Sequence, residues 1–141
     1  MKKVLFVAMA LMLAINVMAQ EKQVVEFTEQ EYDFATVREE DNKVSHVFTF
    51  TNVSQTPVTV TNVRASCGCT TPSWSRQPVM PGEQGVITAT YSAKGRPGRF
   101  HKSITVTLNN GSEDFTVVLY IKGNVTPTPE NAKALQQQQQ K

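Results

Sequence analysis

The sequence lacks the short motifs that identify most enzyme classes. It has no glycine-rich phosphate loop, no two-histidine metal motif and no serine in a nucleophile elbow. It holds only two histidines, His46 and His101. A Cys–His nucleophilic pair is formally possible, but the sequence offers no identifiable third member. We therefore predict that the protein is not an enzyme, with no catalytic residues and no cofactor.

Long hydrophobic runs are also missing, apart from one at the N-terminus. Lys2 and Lys3 precede an apolar run over residues 4–15, which is well short of the roughly 20 residues that span a bilayer. Small or apolar residues, Val17 and Ala19, then follow at the spacing of a cleavage site. This pattern predicts a signal peptide over residues 1–19 that is cleaved near Ala19. The mature protein is expected to be secreted or periplasmic, without a membrane span.

An excess of one charge is missing from the mature chain. The full sequence has 14 Lys plus Arg and 12 Asp plus Glu, and two of the lysines lie in the predicted signal peptide. The remaining chain is formally neutral, which argues against nucleic acid as a partner because that binding depends on neutralising phosphates. Residues 21–41 are rich in acids, and residues 94–102 hold four Lys or Arg and no acid. We interpret these segments as two solvated loops, with a pair of complementary patches as the alternative.

The sequence is rich in β-strand alternation. Apolar residues alternate with threonine and other polar residues over 44–51, 87–91, 104–108 and 115–122. Pro81-Gly82 and Asn109-Asn110-Gly111 supply turn signals between such segments. The pattern predicts an all-β fold, an immunoglobulin-like antiparallel β-sandwich of about seven strands over residues 20–125. A small β-barrel is the alternative.

The composition changes after Val125. Thr126-Pro127-Thr128-Pro129 is typical of an extended exit, and residues 136–140 are all glutamine. Residues 130–135 are compatible with one or two turns of helix. We predict a flexible Pro/Gln-rich C-terminal tail over residues 126–141 and no second domain.

Both cysteines occur in one motif, Cys67-Gly68-Cys69. In a strand, residues i and i+2 point to the same face, so the two side chains would lie side by side. A fully extended pair is near or beyond the upper Cα–Cα limit for a disulfide, and Gly68 would permit the bend that closes it. Such a small ring would stabilise the fold by only about 1.6 kcal/mol in the chain-entropy model. If the bond forms, a redox or regulatory role is therefore favoured over a stabilising one.

The motif also carries a family resemblance. The sequence resembles a secreted bacterial family of unknown function, the domain of unknown function 1573, which is similar to Hydin-like immunoglobulin-type domains. The shared elements, in chain order, are Asp33-Phe34, His46 to Asn52, Cys67-Gly68-Cys69-Thr70, Pro81-Gly82-Glu83, Gly98 to Phe100 and Leu119 to Val125. One departure is Ala35, where the family more often has glycine. The resemblance implies a sandwich fold and an envelope or extracellular location, and it implies no catalytic activity.

Three interpretations of Cys67 and Cys69 remain open. The favoured one treats them as small packing residues at a sheet end, with Gly68 making a bend. The second is a labile disulfide, a candidate redox pair in an oxidising compartment. The third is a metal site, for which His46 or His101 would have to complete an otherwise two-ligand set. We expect His46 to be a hydrogen-bonded core residue and His101 to face solvent, so no metal site is assigned.

Together these features predict an exported, non-catalytic binding or assembly module of the bacterial cell envelope. Its partner would be another envelope protein or a peptide, and pairing along a sheet edge is one possible mode. The alternative function is a thiol-redox or metal-handling protein that uses Cys67-Gly68-Cys69.

Overall fold

A computed structural model describes residues 22–140 of the chain. The predicted signal peptide, residues 1–19, lies outside the described residues. Within residues 22–140, no helix combines the length and the hydrophobicity that crossing a bilayer requires. The strands, in chain order, are β1 Val25–Phe27, β2 Glu31–Arg38, β3 Lys43–Asn52, β4 Thr59–Ala65, β5 Thr70–Trp74, β6 Gln84–Ser92, β7 Gly98–Asn109 and β8 Asp114–Thr126. A short 3-10 helix, Glu39–Asp41, follows β2, and helix α1, Pro129–Gln139, follows β8.

The strands form two four-stranded sheets, in the orders β1-β3-β6-β5 and β2-β8-β7-β4. The first order matches strands A, B, E and D of the immunoglobulin fold, and β4, β7 and β8 match strands C, F and G. The predicted all-β sandwich is confirmed, with eight strands in place of about seven.

One pairing departs from the predicted antiparallel arrangement. Strand β2 pairs in parallel with β8, from Glu31 opposite Tyr120 to Arg38 opposite Thr126. Chain 28–30 links the sheets, because β1 belongs to one sheet and β2 to the other. The second sheet is therefore mixed.

Strand β5 was not among the predicted strands, and it contains Pro72, a residue that usually argues against a strand. Pro72 lies opposite Ala89 of β6, and β5 has no strand on its other side. The Ser92 amide donates to the Cys69 carbonyl, so the alternate residues Thr70 and Pro72 direct their backbone groups away from β6. Proline is tolerated there because no ladder hydrogen bond is lost.

The core lies between the sheets and follows the predicted alternation. Phe48 and Phe50 of β3, Ile87 of β6, and Ile104 and Leu119 of the other sheet are fully buried. These side chains come from the alternate positions that the sequence indicated, so one face of each strand supplies the core.

The C-terminal segment forms a longer helix than predicted. Helix α1 spans eleven residues, has Thr128 as its N-cap, and contains no buried residue. The flexibility assigned to residues 126–141 stays a prediction. The start of the helix is nevertheless tied to the sandwich, because the Glu39 carboxylate accepts hydrogen bonds from the Thr128 amide at 2.9 Å and the Asn131 side-chain amide at 2.8 Å.

Candidate functional site

The Cys67-Gly68-Cys69 motif lies where the chain crosses from one sheet to the other. Strand β4 ends at Ala65 at the edge of one sheet, and β5 begins at Thr70 at the edge of the other. The Ser66 amide donates to the Ser103 carbonyl at 2.9 Å, and the Ser92 amide donates to the Cys69 carbonyl at 2.8 Å. The motif is therefore a short crossing loop held at both ends, and not the strand that its position suggested.

Within this loop, Cys67 and Cys69 are joined by a disulfide. Their Cα atoms are 5.2 Å apart, within the roughly 4.4–6.8 Å that disulfides require. The expected bend is present, and the two cysteines are not separate packing thiols. A redox role for the bond stays a prediction.

Glycine is not required for the bend at Gly68. Its φ lies outside the left-handed range, and a Cβ built at this position would meet no atom within 4 Å. The residue is exposed, so an alanine would fit without strain. What Gly68 does provide is an uncovered approach to the ring.

The two sulfurs differ in their surroundings. Cys69 is 8% exposed and belongs to the core, whereas Cys67 is only partly buried and packs against the core from outside. The buried Thr70 hydroxyl lies 3.7 Å from Cys67 Sγ and 3.9 Å from Cys69 Sγ. One hydroxyl thus lies within weak hydrogen-bond range of both sulfurs.

The two histidines make contacts elsewhere. His46 is partly buried, stacks on Tyr32 with ring centroids 3.5 Å apart, and forms a 2.7 Å hydrogen bond with Glu29. His101 is exposed, as expected, and stacks on Tyr120. Over residues 22–140, no group of three or more His, Cys, Asp or Glu side chains is arranged to hold a metal.

The basic segment, residues 94–102, begins and ends beside the disulfide loop. The loop bonds to Ser92, two residues before the segment, and to Ser103, the residue after it. The Arg96 guanidinium also donates to the Ser92 carbonyl at 3.4 Å. None of the salt bridges among the described residues involves a Lys or Arg of this segment. The disulfide loop is therefore hydrogen-bonded to residues that flank the basic segment on both sides.

Among residues 22–140, carboxylates of the acidic segment form polar contacts with the basic segment at two points. Glu39 accepts a 2.9 Å hydrogen bond from the Gly95 amide, and Glu31 lies 3.4 Å from the ring of His101. Glu31 is also paired with Lys122, whose hydrogen bond holds the pKa of this carboxyl below its usual value. Glu40 and Asp41 pair locally with Arg38, and Glu29 pairs with His46 of β3. Residues 31–38 of the acidic segment form β2, and residues 98–102 of the basic segment belong to β7, so the prediction of two solvated loops is wrong. The two contacts are also too few to make the segments extended complementary patches.

A second feature escaped the sequence prediction: half of β8 is unpaired on one side. Strand β2 begins opposite Tyr120, so β8 residues 114–119 have no partner there among the described residues. The Tyr120 amide donates to the Gln30 carbonyl on that side. Because backbone direction alternates along a strand, the amides and carbonyls of Val118 and Thr116 point to the same open side.

This open half-edge borders a groove of about 910 Å³. Val24 and Val25 form one wall, and Phe115 and Val117 of β8 form the other. Val24, Phe115 and Val117 are only partly buried. Their alternation predicted the strand, but no sequence signal could show that β2 stops short of covering it.

A protein-family model matches the sandwich domain. Residues 25–125 match the family described as "Protein of unknown function (DUF1573)". The chain belongs to this family. The match confirms the family resemblance inferred from the sequence, while the Hydin-like part of that resemblance stays a prediction. No curated protein matches this DUF1573 member significantly.

Several solved structures share the fold of this DUF1573 domain. The Vibrio cholerae VesB protease has a TM-score of 0.62 and 14% identity, over 72% of this chain and 32% of that one. A protein of unknown function from Porphyromonas gingivalis W83 has a TM-score of 0.60 and 15% identity, over 72% of this chain and 46% of that one. The YadV chaperone has a TM-score of 0.50 and 12% identity, over 74% of this chain and 52% of that one. The chain thus spans about half or less of each of these structures, and identities this low show the fold alone.

Proposed function

We propose that this DUF1573 protein is an exported, non-catalytic module of the bacterial cell envelope that binds another envelope protein through an extended peptide segment. The observation that carries the proposal is the unpaired half of β8 beside an apolar groove. The likeness to a chaperone supports a binding role by analogy of fold only.

The protection of the other edges supports β8 as the binding site. Strand β1 has only three residues, β2 and β4 carry bulges, and β5 contains Pro72. Each of these devices blocks the addition of another strand. Residues 114–119 of β8 have none of them, and Val118 is 36% exposed beside the open side.

The chemistry of the groove specifies its occupant. The free amides and carbonyls of β8 can pair with an extended backbone. The apolar walls can pack against apolar side chains at alternate positions of that backbone. Glu113 and Asp114 lie at the start of β8 on the groove rim, with Lys22 as the one cation there. The ligand we propose is therefore a peptide strand of alternating apolar residues with a basic residue at one end.

Peptide binding tests this site. We expect the mature chain to bind the peptide Lys-Val-Thr-Val-Thr-Val, and NMR shifts to cluster at residues 22–25 and 113–118. Val118→Pro removes one open-side amide without removing a β7 hydrogen bond, and it should weaken binding at least tenfold. Phe115→Ala should weaken it similarly by removing one wall of the groove.

Two matched controls separate strand pairing from general stickiness. Val86→Thr changes an exposed valine of the opposite sheet and should leave affinity unchanged. The same peptide N-methylated at alternate residues keeps its side chains but loses its strand donors, and it should not bind. Equal binding of both peptides, or binding that Val118→Pro leaves unchanged, would contradict the proposal.

Export is tested separately in the native bacterium. We expect the mature protein in the envelope or secreted fraction, with Gln20 as its first residue by mass spectrometry. A chain that retains residues 1–19 in the cytoplasm would exclude the proposed location, whatever the peptide experiment shows.

A second candidate function is thiol–disulfide exchange, which the Cys67–Cys69 disulfide favours. Solvent reaches the disulfide from one side, because Cys67 is only partly buried and Gly68 is exposed. The folded protein should then exchange with reduced glutathione without denaturant. A disulfide that is reduced only when the chain unfolds would exclude this function.

A further inference from the structure

The sulfurs of the disulfide are not equivalent. We propose that Cys67 is the sulfur that a substrate thiolate attacks, that Cys69 is the leaving sulfur, and that the Thr70 hydroxyl positions the displaced thiolate. This inference rests on the second candidate function, and it assigns roles within that site.

The difference in solvent exposure favours Cys67 as the sulfur that is attacked. Cys67 is partly buried, whereas Cys69 is 8% exposed and forms part of the core. Gly68, between them, is exposed and has no side chain to cover the ring. A thiolate of another protein can therefore reach Cys67, whereas the packing of the core blocks its approach to Cys69.

The Thr70 hydroxyl lies within weak hydrogen-bond range of both sulfurs, including the one that leaves. It is 3.9 Å from Cys69 Sγ and 3.7 Å from Cys67 Sγ, and the residue is 4% exposed. A hydrogen bond to a charged group is stronger than one to a neutral group, so this donor gains strength when a thiolate forms. Thr70 is thus a positioning residue and not a nucleophile.

Arg96 brings one positive charge to Ser92, the residue that is hydrogen-bonded to Cys69. The loop bonds to Ser92 and Ser103 on either side of residues 94–102, and Arg96 donates to the Ser92 carbonyl. Burial raises the pKa of Tyr91, which lies opposite Thr70, and the Arg96 guanidinium opposes that rise. Reactive cysteines occur in partly exposed, electropositive surroundings of this kind.

The proposed exchange oxidises a substrate dithiol in two steps. A substrate thiolate bonds to Cys67 Sγ, the Cys67–Cys69 bond breaks, and its electron pair leaves on Cys69 as a thiolate that accepts from Thr70. A second thiolate of the substrate then attacks the substrate sulfur of the mixed disulfide and expels Cys67. The substrate dithiol is oxidised to a disulfide, and the protein pair gains two electrons and, once the thiolates pick up protons, two protons. The substrate class is a reduced dithiol of an exported protein.

Trapping with glutathione tests the assignment. The oxidised mature chain is mixed with reduced glutathione, quenched by alkylation and digested. We expect the glutathione adduct on Cys67, and a Cys69→Ser variant should form a lasting mixed disulfide with glutathione disulfide where Cys67→Ser forms little. An adduct mainly on Cys69 would overturn the proposed direction.

Variants of the surroundings test the remaining roles. Thr70→Val should slow exchange roughly three- to tenfold, the worth of one hydrogen bond, and Thr70→Ser should restore the rate. Arg96→Gln should also slow exchange, whereas Arg76→Gln, on a different loop, should not. Thermal unfolding of each variant checks that it is folded.

The outcomes separate the inference from the function on which it rests. A folded protein that does not react with glutathione overturns both. Exchange that proceeds at the same rate in Thr70→Val and Thr70→Ser overturns the role of Thr70 and leaves thiol–disulfide exchange standing.

Discussion

Ala35 adopts a backbone conformation that its side chain disfavours. Its φ is 55°, at the bulge where β2 shifts register against β8, and its amide donates to the Asp33 carboxylate at 2.7 Å. Left-handed conformation costs an ordinary residue roughly 1–2 kcal/mol, whereas glycine adopts it freely. This is the position where the related family more often has glycine, so the departure noticed in the sequence coincides with real backbone strain.

We predict that Ala35→Gly raises the free energy of unfolding. The gain should be about 0.5–1 kcal/mol, because relief of the strain exceeds the added flexibility of the unfolded chain. Ala35→Val should lower stability, since a β-branched residue suits this conformation least. Urea denaturation of the three proteins measures the differences, and a destabilised Ala35→Gly variant would contradict the explanation.

Glu39 is a buried carboxylate that joins three parts of the chain. It is 3% exposed and accepts from the amides of Gly95 and Thr128 and from the Asn131 side chain. The hydrogen bond from Thr128 is the main reason that its pKa is lowered, with Asn131 and Gly95 adding to it against the opposing effect of burial. No motif marked this residue in the sequence, because its partners are 56 or more positions away.

Stability should therefore fall on acidification through Glu39. A lowered folded-state pKa means that its stabilisation is complete above the pKa of glutamate in the unfolded chain, about 4.3, and is lost as the pH falls through the folded-state value. We predict that Glu39→Gln destabilises the protein clearly at pH 7 and much less at pH 3. Glu31→Gln serves as the comparison, since the pKa of Glu31 is lowered by Lys122 on the surface. An equal loss for Glu39→Gln at both pH values would be inconsistent with this linkage.

At the scale of elements, alternation predicted the strands that have one buried face. The buried residues of β3, β6, β7 and β8, such as Phe48, Ile87 and Leu119, lie at the predicted alternate positions, because period two matches the pleat of a strand. The parallel pairing of β2 with β8 could not be predicted, since it brings together residues 88 or 89 positions apart in sequence. The length of helix α1 also escaped prediction, because no buried residue marks its face.

Strand β5 shows how one proline controls an edge. Pro72 has no amide hydrogen at a position whose backbone faces away from β6. We predict that Pro72→Val supplies this donor and makes the protein associate at high concentration. Sedimentation velocity against Pro57→Val, an exposed proline outside the strands, tests this, and monomeric behaviour of both variants would exclude the role.

At the scale of the molecule, we expect the sandwich to stay folded without its disulfide. The bond closes a loop between residues two positions apart, and both sheets are complete without it. Reduction should lower the free energy of unfolding by no more than about 1.6 kcal/mol. Urea denaturation with and without a phosphine reductant measures this, with the Cys67→Ala/Cys69→Ala variant as a reductant-insensitive control. Unfolding on reduction alone would mean that the bond is structural.

The candidate site could be predicted from the sequence only in part, because only some of its features depend on neighbouring residues. The sequence identified the sulfur pair and its bend, because both depend on three adjacent residues. The surroundings of the pair depend on the Ser66–Ser103 and Cys69–Ser92 hydrogen bonds, which form only after β4, β6 and β7 have paired. Local pattern carries no signal for such contacts, so the position of the disulfide loop beside Arg96 and the open half of β8 emerged only from the fold.

The position of the cysteines also bears on how the protein matures. They are the only two in the sequence and are separated by one residue, so they have no wrong partner within the chain. Closing so short a loop needs no long-range contact, whereas the partner strands β6, β7 and β8 lie later in the chain. If the chain is exported from its N-terminus, oxidation can finish before these strands arrive, and the protein needs no disulfide isomerase to reach its folded state.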